Sequence, residues 1–241
     1  MIQQKTNIGI IGMGRFGQLV NQVLSKSFDV SAYDKRKIRG IKNYSLKDVA
    51  EKELVIVAVP ISEFENTIKK IKKYLKKDAV IIDVCSVKEH PVNVMKKELP
   101  RNVSILATHP MFGPDSAKNS LKDKKIVLCP IRIKNKELIE IKKYLRLLGL
   151  KIIEMTPKEH DKQIAKSQLL THFIGRSLLE MNAKPTAIDT EGYKRLMHIL
   201  GVVQNDTWQL FEDMNKYNKE AKKVREKIIK SIKKVDSKVN K

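Results

Sequence analysis

The first 155 residues alternate short apolar runs with amphipathic segments, and this alternation restricts the fold more than any other feature of the chain. Seven apolar runs predict strands, and they cover residues 8–11, 30–33, 54–59, 79–84, 104–108, 126–129 and 151–155. Segments with apolar residues at helical spacing lie between most of them, as in residues 15–25. Strands that alternate with helices predict an α/β fold whose sheet is parallel and doubly wound.

The pattern changes after Pro157, where no further strand is predicted. Helices are expected over residues 157–180, 191–203 and 206–235. We therefore divide the chain into a Rossmann-type dinucleotide-binding domain over residues 1–156 and a small all-helical domain over residues 157–241, which ends in a basic tail. A helical domain this small gains stability by docking, so we expect it to form a homodimer and to contribute to substrate binding.

The chain is strongly basic, with 49 Lys and Arg residues against 27 Asp and Glu residues and a formal net charge of +22. The lysines are spread along the whole chain beside apolar residues at helical spacing, which is typical of solvated helix faces. We find no finger-type Cys/His set and no aromatic-rich RNA-binding strand. A nucleic-acid partner is therefore not expected, whereas the positive field favours anionic cofactors and substrates.

Several other kinds of protein are not indicated. No uncharged apolar run reaches the ~20 residues that span a bilayer, and the N-terminus lacks the pattern of a signal peptide. Only two cysteines occur, Cys85 and Cys129, and they form neither a disulfide framework nor a metal-binding spacing. We expect a cytoplasmic protein with two thiols, no metal site and no membrane partner.

A glycine-rich segment directly follows the first predicted strand and opens a helix, in the pattern Gly-x-Gly-x-x-Gly. The first glycine permits a tight turn, the second lets a pyrophosphate approach the backbone, and the third permits close packing of helix on strand. The N-terminus of the helix favours the phosphates. The predicted cofactor-binding residues of this segment are Gly12, Met13, Gly14, Arg15, Phe16 and Gly17.

The predicted end of the second strand carries Asp34, about 20 positions after the glycines. A carboxylate there accepts both ribose hydroxyls, which favours NAD and repels the 2′-phosphate of NADP. Arg36, between two lysines, leaves NADP open as the alternative because a cation there could hold that phosphate. Val59 and Pro60 end a central strand and are expected near the nicotinamide half of the cofactor.

His109 ends another predicted strand, and Pro110 fixes the turn that follows. A neutral imidazole at this position could accept the proton of a substrate hydroxyl while hydride leaves the adjacent carbon. Ser86 could hydrogen-bond the same hydroxyl, orient the imidazole or cap the helix predicted to begin at Val87. His160 and His172 share a predicted helix, and each has either a site role or a packing role.

Four stretches together resemble the prephenate/arogenate dehydrogenase family of tyrosine biosynthesis, and the glycine segment is most similar to that of plant-type arogenate dehydrogenases. They are Gly12–Leu19, the D-x-x-S-x-K segment Asp83–Lys88, the signature Thr108–Ser116, and Ser167–Arg176. The resemblance implies that His109 and Ser86 are catalytic. It further implies substrate-binding roles for Lys88, Met111, Gly113 and His172.

The resemblance also implies an oxidative decarboxylation, in which the hydroxyl-bearing ring carbon gives hydride to the nicotinamide and the ring loses carbon dioxide. Asp206 resembles an acidic position of arogenate-specific relatives, where a carboxylate pairs with the substrate ammonium; the alignment also permits Asn205, and a helix N-cap is a further alternative. The arginine that holds a substrate carboxylate in many bacterial relatives has only three candidates here, Arg176, Lys194 and Arg195.

Two other classes of protein remain as alternatives. One is another two-domain hydroxyacid or imine dehydrogenase, which shares the glycine segment but lacks the Thr-His-Pro-Met-Phe-Gly loop. The other is a non-catalytic, basic dinucleotide-binding protein, which would bind DNA in a salt-sensitive manner and would be indifferent to the loss of His109.

Overall fold

A computed structural model describes residues 6–240, except for the side chain of Val202. Residues 1–5, which were expected to lack a signal-peptide pattern, and Lys241 at the end of the basic tail lie outside the described residues. The chain forms two compact units, the first over Met1–Lys158 and the second over Glu159–Lys241.

The first unit is built on a seven-stranded sheet in the order β2-β1-β3-β4-β5-β6-β7. The strands are β1 (Asn7–Ile11), β2 (Asp29–Tyr33), β3 (Leu54–Val57), β4 (Val80–Asp83), β5 (Ser104–Pro110), β6 (Lys125–Arg132) and β7 (Lys151–Glu154). Apart from Leu54, every residue of β3 and β4 is buried, because helices cover both sides of the sheet. The expected Rossmann-type α/β fold and all seven expected strands are thus confirmed.

One pair of strands departs from the expected parallel sheet. β5 and β6 run antiparallel, with His109 opposite Val127, whereas every other neighbouring pair in the sheet is parallel. A parallel connection needs a crossover of a dozen or more residues, usually a full helix. Residues 111–124 contain only a four-residue helix, so the chain returns beside β5 in the opposite direction. The expectation of a wholly parallel sheet is therefore wrong at this pair.

Helices cover both faces of the sheet. They are α1 (Arg15–Leu24), α2 (Leu46–Ala50), α3 (Ile61–Ile71), α4 (Glu89–Glu98), α5 (Pro114–Ala117) and α6 (Asn135–Leu147). The apolar positions of α1, α3, α4 and α6 recur at helical spacing, as the sequence predicts. The short helices α2 and α5 were not expected, although Ser45 and Asp48 form a capping box that starts α2.

The second unit is helical, as expected, but two of its long segments are broken. Its helices are α7 (Pro157–Lys166, which begins in the first unit), α8 (Gln168–Glu180), α9 (Glu191–Val203), α10 (Trp208–Tyr217) and α11 (Ala221–Val239). Ser167 leaves the helical conformation between α7 and α8. Asn218 does so between α10 and α11, where its side chain accepts from the Glu220 N–H and donates to the Asp161 carbonyl. Among the described residues, none of the helices is both long and apolar enough to cross a membrane.

Candidate active site

Parallel strands bring the motifs of the first unit to one edge of the sheet. Ile11, Val57, Asp83 and Ala107 are neighbours in register across β1, β3, β4 and β5. The glycine segment, Pro60, Ser86 and His109 follow or end these strands, so they lie along the same carboxyl edge. This edge is where open α/β sheets bind their ligands.

The glycine segment forms a turn that only small residues can make. Gly12 has a φ of +97°, and its N–H donates to the Tyr33 carbonyl at 2.8 Å. A Cβ on Gly12 would lie 2.5 Å from the Ala58 carbonyl oxygen, and one on Gly17 would lie 2.0 Å from the Gly12 carbonyl oxygen. A Cβ on Gly14 would meet open space. The backbone is therefore packed tightly at two glycines and open at the third, where α1 begins.

Asp34 holds the glycine segment in place from the end of β2. Its Oδ2 accepts from the Met13 N–H at 2.8 Å, and its Oδ1 accepts from the Arg36 N–H at 2.9 Å. Burial acts to raise the pKa of Asp34, but these two backbone hydrogen bonds and the Arg36 guanidinium outweigh it and lower the pKa below its usual value. Asp34 is thus a carboxylate at neutral pH, and its oxygens retain further lone pairs for a ligand.

Asp34 and its ion-pair partner Arg36 differ in how far their side chains are exposed to solvent. The carboxylate is only 8% exposed, whereas the Arg36 side chain is 67% exposed with its Nε 3.3 Å from Asp34 Oδ1. Asn43 accepts from the Asp34 N–H and donates to the Asp34 carbonyl, at 2.9 and 3.0 Å. Sequence reasoning missed Asn43 because it belongs to no motif and meets Asp34 only through the folded chain.

The other predicted cofactor-binding residues flank this turn. Met13 is buried, its N–H donates to Asp34 Oδ2 and its carbonyl accepts from the Gln18 side chain, so Met13 shapes the turn from within. Arg15 is the first residue of α1, and the Phe16 ring lies half-buried on the same helix. The Val59 side chain lies against Gly12, where it would contact any Cβ added to that glycine. Pro60 is the exposed N-cap residue of α3.

His109 lies on β5, which extends through Pro110 and so is two residues longer than predicted. The imidazole is almost wholly buried, with 4% of the residue exposed. After the strand, the Met111 N–H donates to the Lys125 carbonyl at 2.9 Å, and Gly113 caps α5 with its N–H bonded to the Ser116 hydroxyl. Met111 is exposed and Gly113 is half-buried, so both lie near the surface beyond His109.

The position of Lys88 does not fit the substrate-binding role that the resemblance implies. Its side chain is fully buried, and its ammonium donates to Asp83 Oδ1 and to the Thr108 carbonyl. Burial raises the pKa of Asp83, and the charge of Lys88 opposes that rise. A fully buried ammonium does not meet a substrate, so the structure makes Lys88 a residue that fixes β4 to the strand carrying His109.

Ser86 stands in the segment between β4 and α4 and is half-buried. The helix begins at Glu89 with Lys88 as its N-cap residue, and no side-chain cap is formed. The alternative that Ser86 caps a helix beginning at Val87 is therefore wrong. Its hydroxyl follows β4 at the carboxyl edge of the sheet, next to the strand that carries His109.

The glycine segment and the histidine segment touch each other. Arg15 Nη2 lies 2.6 Å from Asp115 Oδ1, and the rings of Phe16 and Phe112 lie with centroids 6.3 Å apart. Residues 100 positions apart in the chain are thereby joined at one edge of the sheet. Sequence reasoning did not foresee Asp115 as the partner of Arg15, because nothing in either motif specifies the other.

In the second unit, His172 and Asp206 form a pair, with His172 Nε2 3.6 Å from Asp206 Oδ2. Arg176 donates to the Asp206 backbone carbonyl and lies over the Trp208 ring. Helix α10 begins at Trp208 with Thr207 as its capping residue, so the alternative that Asp206 is an N-cap is wrong. Helix α8 thus contacts Asp206 twice, with His172 at the carboxylate and Arg176 at the backbone carbonyl.

Burial lowers the pKa of His172, the Asp206 carboxylate opposes that shift, and the Arg176 guanidinium adds to it. His172 Nδ1 and Arg176 Nε are buried without a hydrogen-bond partner. His160 is also buried, but its Nδ1 lies 2.7 Å from Asp161 Oδ1, which fits a packing role. In the part of the chain that the structure describes, no three His, Cys, Asp or Glu side chains cluster as metal ligands would.

The sheet, the glycine turn and the carboxylate at the end of β2 define a nucleotide-binding α/β protein of the Rossmann type. A family model described as "Prephenate dehydrogenase, nucleotide-binding domain" matches residues 23–154. The chain belongs to the prephenate/arogenate dehydrogenase family, which confirms the resemblance drawn from its motifs. A second model, described as "TYRAAT1-like, C-terminal domain", matches residues 177–241.

Individual relatives agree with this assignment. The chain is 33% identical over 233 residues to arogenate dehydrogenase 1, chloroplastic, of Arabidopsis thaliana, covering 90% of this chain and 36% of that protein. It is 30% identical to arogenate dehydrogenase 2, chloroplastic, of the same plant, covering 89% of this chain and 64% of that protein. The chain thus spans about one to two thirds of the length of these relatives.

The fold is similar to that of a crystallised prephenate dehydrogenase from A. aeolicus, solved in complex with hydroxyphenyl propionate and NAD+. The TM-score is 0.77 at 21% identity, and the match covers 99% of this chain and 92% of the other. This similarity extends over the helical unit as well as the sheet.

Proposed function

We propose that this chain is an NAD(P)-dependent dehydrogenase that oxidatively decarboxylates arogenate or prephenate. The observation that carries the proposal is the glycine turn and His109 along one carboxyl edge of the sheet. Relatives named arogenate dehydrogenase support it, as does the NAD+ complex of the structural neighbour. Other dehydrogenases share the glycine turn, but the segment Thr108–Gly113 distinguishes this family.

The residues at the turn fit a nicotinamide dinucleotide. The open space beside Gly14, at the N-terminus of α1, suits a pyrophosphate, and the Asp34 carboxylate suits ribose hydroxyls. The cofactor, when bound, supplies the carbon that accepts hydride. We propose that the segment Gly12–Gly17, Asp34, Val59 and Pro60 hold it, with Met13 shaping the turn.

His109 is the proposed general base. Its imidazole accepts the proton of the ring hydroxyl as the C–H bond of the same carbon gives up its electron pair as hydride. The C–O bond becomes a carbonyl, the bond to the ring carboxylate breaks, and its electron pair enters the ring as carbon dioxide leaves. The ring becomes aromatic after loss of one proton to His109, one hydride and one carbon dioxide. Ser86 assists by hydrogen bonding to the hydroxyl or the imidazole, while Lys88 positions the strand.

The preferred substrate under this proposal is arogenate. A carboxylate such as Asp206 pairs with an α-ammonium and repels the side-chain carboxylate of prephenate. The His172 contact supports the assignment because it keeps the carboxylate oriented. Replacement by the uncharged Asp206→Asn should favour prephenate relative to arogenate. An unchanged ratio of kcat/KM for the two substrates would refute the role of Asp206.

The preferred cofactor under this proposal is NAD. Asp34 is ionised and held close to the glycine segment, so a 2′-phosphate would meet a negative charge. The exposed Arg36 keeps NADP as the alternative cofactor. The Asp34→Ser variant should shift the preference toward NADP, and a wild-type preference for NADP would refute the ribose assignment.

We further propose a homodimer formed through the helical unit, and a cytoplasmic location. The exposed apolar side chains along α11, among them Ile232 and Val235, support the first proposal. The buried thiols of Cys85 and Cys129 suit a reducing compartment and support the second. Sedimentation at micromolar concentration tests the dimer, which a monomer mass of 27.7 kDa would refute. Cell fractionation tests the location.

The experiment that tests the activity follows the absorbance of reduced cofactor with NAD or NADP against arogenate and prephenate separately. Turnover with arogenate and NAD is expected. Turnover with prephenate alone would retain the family reaction but refute the role of Asp206. An absence of turnover in all four combinations, by protein that still binds cofactor, would refute the proposed reaction.

A further inference from the structure

The first unit contains a cavity that the proposed reaction does not use. It lies between the sheet and the two helices α1 and α6, and its volume is about 120 Å³. Its walls include Val20 and Val23 of α1, Ile82 and Ile126 of the sheet, and Ile141 and Leu145 of α6. All of these belong to the first unit, so the cavity is a property of the α/β fold itself.

The cavity exists because the helices on this face do not close over the sheet. On α1 only Gly17 is fully buried, and on α6 no residue is. On α3, by contrast, Phe64, Ile68 and Ile71 are completely buried. Side chains of α1 and α6 therefore reach the sheet without filling the space between the two helices.

The chemistry of the cavity wall is wholly apolar. Thr108 is the one wall residue with a side-chain hydroxyl, and that hydroxyl already donates to the Asp83 carbonyl at 2.7 Å. A charged or zwitterionic molecule would lose its hydration there without gaining a partner, which is costly. An uncharged apolar molecule gains dispersion contacts with the wall and leaves water.

The size of the cavity sets the size of the ligand. Apolar cavities of about 150 Å³ lined by Leu, Ile and Phe stay dry and bind benzene or xenon. The present cavity is of similar volume and composition, and it is partly open to solvent, which gives a ligand access to the apolar wall. Phe16 and Phe112 also line it, so an occupant would touch side chains from both the glycine segment and the histidine segment.

We propose that the cavity between α1 and α6 is a binding site for an uncharged apolar molecule of about one ring. The site shares the Phe16 side chain with the glycine segment but lies between the two helices and the sheet, and binding there does not depend on the proposed enzymatic reaction. Amino acids and other zwitterions are excluded by the wall, so the ligand class differs from that of the proposed substrate.

Benzene is the probe for the test, and the full chain is titrated with it by calorimetry and by thermal unfolding. Two substitutions on α6 form a matched pair. Ile141→Phe places a ring in the cavity, whereas Ile139→Phe makes the same change at a position that is 60% exposed. Neither residue belongs to the proposed active site.

Wild type and Ile139→Phe should bind benzene at one site and unfold at a higher temperature in its presence, and Ile141→Phe should show neither effect. Equal binding by all three proteins, or no binding by wild type, would overturn the proposal. If Ile141→Phe does not fold, Leu145→Ala provides the second test. It enlarges the cavity and should bind the larger ring of indole several-fold more tightly than wild type, and unchanged indole affinity would overturn the proposal.

Discussion

Arg15 and Asp115 form an ion pair of 2.6 Å between the first residue of α1 and helix α5, and so join the proposed cofactor site to the segment that follows His109. Both side chains are about half exposed. Exposed ion pairs contribute about 0–1 kcal/mol to stability. The main effect of this pair is therefore on the orientation of the Arg15 guanidinium, and not on the stability of the fold. The adjacent contact of Phe16 with Phe112 holds the same two segments together.

Substitution of Asp115 by Asn should release Arg15 toward the cofactor phosphates and tighten NAD binding, by about fivefold for a pair worth roughly 1 kcal/mol. Arg15→Gln should weaken NAD binding by a similar factor. Calorimetric titration of the two variants with NAD measures both effects. Weaker binding by Asp115→Asn would show that the ion pair supports the cofactor site rather than competing with it.

The glycine turn offers a second pair of variants. Gly17→Ala places a Cβ 2.0 Å from the Gly12 carbonyl oxygen and should lower the free energy of unfolding by at least about 2 kcal/mol. Gly14→Ala places its methyl group in open space and should leave stability within roughly 1 kcal/mol of wild type while lowering NAD affinity. Urea unfolding and NAD titration separate the two outcomes, and a Gly14→Ala variant with undiminished affinity would contradict the pyrophosphate assignment.

The buried ion pair of Lys88 with Asp83 should be costly to break. Lys88→Met leaves a buried carboxylate and the Thr108 carbonyl without their ammonium partner, and we expect a loss of about 3–5 kcal/mol in the free energy of unfolding. The double variant Lys88→Met with Asp83→Asn should recover part of it. Lys151→Met breaks an exposed pair with Asp123 and serves as the control, with a loss of at most about 1 kcal/mol. A similar small loss for Lys88→Met would contradict the described pairing.

His172 should make the helical unit less stable as pH falls. Its pKa is lowered in the fold, whereas an unfolded histidine has a pKa of about 6.5. The unfolded state therefore takes up the proton first, and stability present above pH ~6.5 is lost progressively below it.

His172→Asn should flatten this dependence of stability on pH, whereas His198→Asn, at an exposed position, should retain the wild-type dependence. Trp208, the single tryptophan, lies in this unit, and its fluorescence follows the unfolding. An identical pH dependence in wild type and His172→Asn would contradict the burial of His172.

The sequence was sufficient to predict those parts of the fold that depend on local patterns. The seven strands follow from apolar runs, and the tight turn at Gly12 follows from glycine spacing. The antiparallel pairing of β5 with β6 was not predicted, because strand direction is decided by which edge the chain reaches after the loop 111–124. The breaks at Ser167 and Asn218 were missed because the helical spacing of apolar residues continues across both.

The site was predictable to a similar extent. The positions of Asp34 and His109 at strand ends follow from the alternating pattern, but their partners do not. Asn43 and Asp115 lie outside any spacing rule, and they meet their partners only after the sheet forms. The family resemblance implies a substrate-binding role for Lys88, and only its contacts with the carbonyl of Thr108 and the carboxylate of Asp83 explain its burial.

The most direct test of the account is the rate of hydride transfer from arogenate to NAD by wild type and by His109→Asn. Removal of a general base lowers rates by about 10²–10⁴-fold, and we expect a loss of this size in kcat with NAD affinity unchanged. A kcat within a few fold of wild type, in a variant that still binds NAD, would contradict the role assigned to His109.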